Sequence, residues 1–445
     1  MIVPEGARNI SLVGHTDQGG RGDGVQVMVN RGHAYIGTRV SRGVVVTDVR
    51  DPRNPGPVNF MPIHPNSWCM HLQTANDLLL CIEERDLKAL LSQKDYYAMS
   101  NQVDSSRYGT RGVDFSAGMR VYDISDPANP RPIGFMEVEG VGLHRIWWTG
   151  GRYAYASALL DGSIDHIFIS IDMGDPTKPR EVGRWWIPGM NAAAGESPHW
   201  TGCWALHHAV VEDDIAYASW RNGGLTILDV KDPGNPSWIA HRNWSPPFGG
   251  GTHSALPLHD RGLLVVADEA TLNIDQEQMK RTWIFDIREK SNPISIATMP
   301  TPADYDYVAF GGRFGPHNLH ENRQGPFRSS TTIFATWQSA GVPGVRYRRS
   351  VLSGGNRVFC APAADHGDGA DARAGKNSPH RRSVRGGEWV DVRYGLRCRI
   401  VHFTVEWLVT KQQEGNNENR FYRAGHDGIR HGVEPTEGWT RSGRA

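Results

Sequence analysis

Five segments of the chain repeat one order of residue types, and this repeat constrains the fold more than any other feature. Each segment is a β-branched run ending in Asp, followed by a turn rich in Asp, Asn and Pro and then by a second alternating run. The Asp that ends the first run falls at Asp48, Asp123, Asp172, Asp229 and Asp286. A period of about 50 residues built from short strands predicts a radial array of four-stranded blades.

The turn residues show where the repeat bends. In the segment DPGNP, residues 232–236, Pro fixes φ, and an Asp or Asn side chain can bond the backbone two residues on. Because proline donates no N–H to a sheet, it belongs in a connection or at an edge. The runs on either side, rich in Val, Ile, Thr and aromatic residues, therefore pair as a hairpin.

A further strand precedes each hairpin, and in five successive units it opens with histidine. These strands read WCMHLQT, GLHRIWW, ALHHAVV, GTHSALP and GPHNLHE, and they place His71, His144, His207, His253 and His317 at one register point. Gln26 occupies the same point in the first unit. Because the innermost strands of a propeller surround a central channel, we expect these side chains to converge.

Length and composition narrow the class of protein. The 445 residues fit one propeller of six to seven blades, and Lys plus Arg equals Asp plus Glu at 48 each. This balance favours neither nucleic acid nor a membrane surface as a partner. The five cysteines show no Cys-x-x-Cys spacing, and no apolar run is long enough to span a membrane. We therefore expect a cytoplasmic protein that acts on a small-molecule substrate.

Two regions depart from the repeat. Residues 86–116 interrupt blade two, and the leucines near their start have helical spacing, which predicts a helical insertion. From Pro343 onward the chain has 16 Arg against two Lys and loses its hydrophobic alternation. We divide the chain into a propeller at 8–342 and an Arg-rich irregular tail at 343–445, which is either disordered or the product of a frame slip near Val342.

The long insertions mark one face of the predicted propeller. Connections from first to second strand and from third to fourth strand are short, whereas the long ones follow second strands or join blades. The long connections share the face on which the histidines begin the inner strands. Functional residues concentrate on loops held by a rigid scaffold, so this face is the predicted site.

On its Asp-x-x-Asp-Pro-x-x-Pro units, the chain resembles the LVIVD-repeat family of β-propellers over about residues 8–342. The resemblance implies an all-β fold and brings no catalytic residues, because this family largely carries no assigned reaction. The plan is also similar to that of carotenoid-cleavage oxygenases and selenium-binding-type thiol oxidases, in which histidines from several blades hold one metal. That similarity concerns architecture alone.

The histidine register predicts a metal centre. Several imidazoles at one axis suit Fe, Mn, Cu or Zn better than Mg or Ca, which prefer oxygen ligands. Five carboxylates are expected to orient the imidazoles or to complete the coordination: Glu83, Glu84, Asp268, Glu269 and Glu321. The competing interpretation is structural, in that each histidine only bonds polar groups of a neighbouring strand.

Three residues at the ends of second strands have two interpretations. Trp220, Arg221 and Trp337 either line a pocket for an aromatic or anionic substrate or cap the cores of their blades. His208 and His320 lie outside the repeated register and are expected to be packing or loop residues.

The sequence predicts a metal-dependent enzyme that acts on small organic molecules, including aromatic molecules. Oxidation is preferred over hydrolysis or elimination. The alternative is a non-catalytic scaffold that binds a protein or peptide on the same face. Metal content of the purified protein separates these two functions.

Overall fold

The computed structural model describes residues 6–7, 12–87, 112–273, 276–302, 312–323, 327–346 and 420–423. Within these ranges the chain is an all-β propeller of six antiparallel blades. The strands of each blade follow one another in chain order, except that Gly6–Ala7 pairs at the outer edge of blade six. The predicted fold class is therefore confirmed. Blades two and three are further joined by pairing of Gly142 with Glu84.

The strand bounds of the first three blades are as follows. Blade one contains Gly24–Asn30, His33–Thr38, Gly43–Asp48 and Gly56–Pro62. Blade two contains Ser67–Trp68 and Leu72–Ala75 as a divided inner strand, then Leu78–Arg85, Gly118–Asp123 and Arg131–Glu137. Blade three contains Gly140–Trp147, Tyr153–Leu160, Ile167–Asp172 and Arg180–Trp185.

The other three blades follow the same plan. Blade four contains His208–Glu212, Ile215–Ser219, Leu225–Asp229 and Ser237–Arg242. Blade five contains Thr252–Leu258, Leu263–Asp268, Thr282–Asp286 and Ile294–Thr298. Blade six contains Gly315–Leu319, Thr332–Gln338, Val342–Arg346, Arg420–Arg423 and Gly6–Ala7. Two single-turn 3₁₀ helices occupy Ala192–Ala194 and His259–Arg261.

The third strands of blades one, three, four and five are buried on both faces because each of these blades is covered by two neighbours. In blade four, Leu225 and Ile227 pack with Leu264 of blade five, whereas Leu228 packs with Ile169 of blade three. Alternate residues of one strand thus enter two different interfaces. Burial of each such side chain stabilises the fold by about 1.5–3 kcal/mol, which explains why these strands carry no polar alternation.

The Asp-Pro turns fold as their residue types predict. Asp232 accepts a hydrogen bond from the backbone N–H of Gly234 at 3.0 Å, and Asp175 accepts one from Thr177 at 3.0 Å. In the divergent fifth copy Glu289 takes the same role, accepting from the N–H of Ser291 at 3.1 Å. The turn therefore survives the loss of Asp-Pro because it requires a carboxylate acceptor at that position.

Two predictions fall mainly outside the described residues. The helical insertion at 86–116 lies largely in 88–111, and most of the tail lies in 347–419 and 424–445. Within the described part of the tail, Arg420–Arg423 pairs with Val342–Arg346. The boundary between propeller and tail at residue 342 stays a prediction, and so does the cause of the tail, which is either disorder or a frame slip. No helix of the described ranges is long and apolar enough to cross a membrane.

Candidate functional site at the propeller axis

The five register histidines form a continuous arc of rings at the axis. Neighbouring ring centroids are 5.2 Å apart for His71 and His144, 5.1 Å for His144 and His207, 3.6 Å for His207 and His253, and 4.7 Å for His253 and His317. Gln26 continues the arc, with its Oε1 at 3.3 Å from Nδ1 of His71. The inner strands thus bring all five sequence-predicted histidines together.

The potential ligand atoms fall into three groups rather than one point, and two of these groups share His144. Ring nitrogens of His71, His144 and His207 lie within 4.8 Å of one another. The same holds for the group of His253, Glu269 and His317, and for that of Glu84, His144 and His166. Each group has residue types and distances that suit the binding of a divalent transition metal.

Burial keeps the arc uncharged at neutral pH. It lowers the pKa of His71, His207 and His253 well below the usual value, with further lowering by neighbouring imidazoles and by the guanidinium groups of Arg145 and Arg221. Since a ligating imidazole must offer a nitrogen lone pair, these rings are in the charge state that a metal requires.

Glu84 fixes the orientation of His144. Its Oε2 lies 3.0 Å from Nδ1 of His144 and also accepts from the indole of Trp68 at 2.7 Å. Burial opposes ionisation of Glu84, but His144 and His166 outweigh it and lower its pKa to about 2. Because a carboxylate only accepts, Nδ1 of His144 carries the proton and Nε2 keeps a lone pair.

His166 is a site residue that the repeat did not reveal. Its two ring nitrogens lie 2.8 Å from Asp165 Oδ1 and 2.8 Å from Glu84 Oε1. Burial lowers its pKa, but the hydrogen bonds with Asp165 and Glu84 outweigh this and raise the pKa to about 9. His166 is therefore an imidazolium that supports Glu84. It occurs once, between the second and third strands of blade three, so no register marks it; the adjacent Asp-His pair was the available signal.

Two further rings can direct Nε2 lone pairs towards a metal. Nδ1 of His207 lies 3.0 Å from the backbone carbonyl of His253, so it donates there. Nδ1 of His253 lies 2.9 Å from the hydroxyl of Ser254, which can accept. His144 and His207 therefore share the arrangement typical of metal-ligating histidines, in which the second nitrogen donates to an oxygen, and His253 can adopt it through Ser254.

Glu269 is the carboxylate at the other end of the arc. It pairs with Arg221 and lies 3.5 Å from Nε2 of both His253 and His317. Burial opposes its ionisation, but Arg221, His317 and Arg313 lower its pKa to about 2. The Arg221 predicted to bind substrate thus lies at the axis as the counterion of Glu269.

A second polar layer lies beneath the arc. Glu321 accepts from Gln73 at 3.0 Å and pairs with Arg145 at 3.5 Å. Arg145 also approaches Nδ1 of His208 at 3.5 Å, so His208 belongs to this layer rather than to general packing. Further along the inner strands, Arg323 donates to the carbonyls of Thr74 and Trp148. These hydrogen bonds and ion pairs join blades two, three, four and six beside the histidines.

The two tryptophans expected on a pocket wall lie in blade cores instead. Trp220 is fully buried, donates to Thr226 at 2.7 Å and packs on Trp185 at 5.6 Å between ring centroids. Trp337 is also buried, and its ring packs against Phe314. The pocket-lining expectation is corrected for both, because a buried indole has no surface to offer a substrate.

Two predicted carboxylates are also corrected. Glu83 pairs with Arg120 at 2.5 Å. Its side chain lies on the opposite face of the strand from that of Glu84, because successive strand residues alternate between faces. Asp268 accepts from the indoles of Trp283 at 2.6 Å and Trp244 at 2.9 Å. In the described structure, Glu83 thus stabilises blade two and Asp268 stabilises blade five, and neither orients a histidine.

The comparisons with known proteins agree with the fold. The family model of the LVIVD repeat matches residues 209–241, which cover most of blade four, so the predicted resemblance is confirmed for this chain. No curated protein matches it.

Several solved structures are similar to this chain. A protein from Lactobacillus plantarum is 10% identical, with 76% of this chain and 84% of that chain covered and a TM-score of 0.50. The periplasmic gluconolactonase of Pseudomonas aeruginosa is 13% identical, with coverages of 72% and 83% and a TM-score of 0.48. A β-propeller domain from Myceliophteria thermophila is 12% identical, with coverages of 77% and 88% and a TM-score of 0.44. At these identities the likeness is one of fold alone.

Proposed function

We propose that this LVIVD-repeat β-propeller is a metal-dependent enzyme, in which axial histidines hold one first-row transition metal for chemistry on a small organic substrate. The observation that carries the proposal is the set of His144, His207 and His253. His207 adjoins both other rings; it and His253 are buried, and His144 is half-buried. All three are uncharged at neutral pH and have oxygens placed to accept a proton on Nδ1.

The donor set supports a restricted choice of metal. Three imidazole nitrogens suit Fe, Mn, Cu or Zn and disfavour Mg and Ca. When bound, such a metal supplies Lewis acidity and, in the case of Fe or Cu, activation of dioxygen. A nitrogen-rich donor set therefore favours oxidation, which we prefer over hydrolysis or elimination.

The surrounding residues prepare the rings for this role. Glu84 holds the proton of His144 on Nδ1, and the imidazolium of His166 keeps Glu84 ionised. The site thus requires no proton loss from His144 before it binds a metal. We expect the substrate to approach from the face that carries the long loops. We keep a cytoplasmic location, which the free buried thiols of Cys69, Cys81 and Cys203 support.

The proposal is tested by metal binding and turnover together. Metal affinity, measured by chelator competition, should fall at least 100-fold in His207→Ala and His144→Ala, since each loses a ligand. Glu84→Gln should weaken binding by about 10–100-fold, because it loses the anionic acceptor of His144. The matched control is His199→Ala, which removes an exposed histidine outside the arc and should behave as the wild type.

Activity provides the second arm. Metal-dependent dioxygen uptake with a panel of small aromatic substrates should appear in the wild type and in His199→Ala, and be absent in His207→Ala. A wild-type protein that binds no transition metal contradicts the proposal and favours the scaffold function. Metal binding that is equally strong in His207→Ala and His199→Ala contradicts the assignment of the ligands.

A further inference from the structure

We infer that His71 is a hydrogen-bond donor to an anionic group bound at the metal centre, and that Arg145 sets the tautomer that makes it one. The inference rests on the proposed metal centre and adds two things to it: a role for a histidine outside the ligand set and a chemical class for the substrate.

Arg145 determines where His71 carries its proton. Its Nη1 lies 2.8 Å from Nδ1 of His71, and both side chains are buried. A guanidinium group has donors only, so Nδ1 of His71 must accept. A neutral imidazole that accepts at Nδ1 carries its proton on Nε2. His71 therefore presents N–H where His144 and His207 present lone pairs.

The neighbours of Arg145 hold this arrangement in place. Its Nη2 lies 3.4 Å from Oδ1 of Asn318 and 3.5 Å from Oε1 of Glu321. Gln26 could have competed as an acceptor for His71, but its Oε1 accepts from the backbone N–H of Leu72 at 3.0 Å and its Nε2 faces Glu321 at 3.4 Å. The shorter contact, from Arg145, decides the tautomer.

The Nε2–H of His71 has no hydrogen-bond acceptor among the described residues, whereas the Nε2–H of His317 has one. Nδ1 of His317 accepts from Asn318 at 3.2 Å, and its Nε2 lies 3.5 Å from Glu269. No described hydrogen bond reaches Nε2 of His71, although a ring nitrogen of His71 lies within 4.8 Å of those of His144 and His207. A donor in this position is suited to a group bound beside the metal.

The charges around the arc indicate that this group is anionic. The buried or partly buried charged groups at the axis are four carboxylates and five cations: Glu84, Asp165, Glu269 and Glu321, with Arg145, Arg221, Arg313, Arg323 and His166. The cations are in excess by one, so a divalent ion adds two further positive charges to a volume of low dielectric constant. An anionic oxygen on the substrate, such as a carboxylate or phenolate, offsets this excess, and His71 hydrogen-bonds to it.

The test uses cobalt(II)-loaded protein and azide as the anionic probe. Cobalt affinity is measured by chelator competition, and azide affinity is measured from the change in the cobalt visible spectrum. His71→Leu removes the donor, His71→Gln replaces it with an amide N–H, and His207→Ala removes a ligand. Two-bond proton–nitrogen correlation spectra of protein labelled with ¹⁵N-histidine, in the absence of metal, report the tautomer of His71 independently.

The expected results separate the possible roles. His71→Leu should keep cobalt affinity within about threefold of wild type and lose azide affinity by about tenfold or more, because one charge-assisted hydrogen bond is absent. His71→Gln should recover part of that loss, and His207→Ala should lose cobalt at least 100-fold. The spectrum of His71 should show a neutral ring protonated at Nε2.

Two results would overturn the inference while leaving the metal proposal intact. One is a loss of cobalt in His71→Leu as large as that in His207→Ala, which makes His71 a ligand. The other is a ring protonated at Nδ1, or an azide affinity that does not change in His71→Leu. A wild-type protein that binds no cobalt overturns the metal proposal and this inference together.

Discussion

Replacement of Asp268 by Asn should stabilise the protein progressively as pH rises. Burial raises the pKa of Asp268 from 3.8 to about 6, against hydrogen bonds from Trp283, Trp244 and Thr252 that favour the ionised form. The folded state therefore holds this proton more tightly than the unfolded state does. The associated stability is present below pH 4 and is lost as pH rises through about 6.

The size of the effect follows from the pKa difference. Full ionisation costs about 3 kcal/mol, with about 1.5 kcal/mol of that cost already present at pH 5. Asn has the shape of the protonated acid and can still accept from the two indoles. The free energy of unfolding of Asp268→Asn, relative to the wild type, should rise by about 1.5 kcal/mol between pH 5 and pH 8.

Urea denaturation at the two pH values measures this change, and packing differences between Asp and Asn cancel in the comparison. Asp172→Asn is the matched control. The hydrogen bonds of Arg152 and Gly174 lower the pKa of Asp172, so this carboxyl is ionised in both the folded and the unfolded state above pH 5, and the stability of the variant relative to wild type should stay constant between pH 5 and pH 8. A fall in the relative stability of Asp268→Asn from pH 5 to pH 8 would show that the indole donors outweigh burial and would refute the reasoning.

Three other predictions concern the axis and the tail. Arg145→Met should lower the free energy of unfolding by about 3–5 kcal/mol in urea denaturation, because Glu321 loses its ion-pair partner at 3.5 Å. Arg145→Met combined with Glu321→Gln should regain most of this loss. A loss below about 1 kcal/mol would indicate that water screens the pair. His166→Gln should weaken metal binding by about 10–100-fold in chelator competition, because the cation that supports Glu84 is lost, and an unchanged affinity would remove His166 from the site. Resequencing around the codon for Val342 should reveal a frame slip; an intact frame with a protein mass of 49.4 kDa would contradict it.

The blade architecture and the histidine arc were predictable because both depend on register. Each inner strand begins at an equivalent point of a repeated unit, so one aligned position, such as His207, locates the same position in the other blades. The Asp-Pro turns fix that alignment through local hydrogen bonds, as at Asp232. Convergence at the axis then follows from the closed radial geometry.

The direction of each remaining side chain was harder to predict, because it depends on packing between blades. Glu83 and Glu84 are adjacent in sequence and are both predicted to orient an imidazole, yet only Glu84 contacts a histidine. Trp220 ends its strand at the predicted face but turns into the interface with blade three. Strand alternation places two adjacent residues on opposite faces of the strand. Which of the two faces the axis depends on the positions of the adjoining blades.

The residues that set protonation were the least predictable. His166 and Arg145 each occur at a position that does not recur in the other blades. Their roles arise from contacts between segments distant in the chain, 82 residues for His166 with Glu84 and 74 residues for Arg145 with His71. Composition and spacing contain no record of such contacts, so a structure was needed to find them.

The metal centre is tested most directly by an anomalous difference map from a crystal of the wild-type protein, collected at the absorption edge of the metal found in it. We predict one strong peak in contact with ring nitrogens of His144, His207 and His253, with metal–nitrogen distances of about 2.0–2.2 Å. A map without a peak at the axis, or with its peak among Glu84, Asp165 and His166 instead, would contradict the assignment.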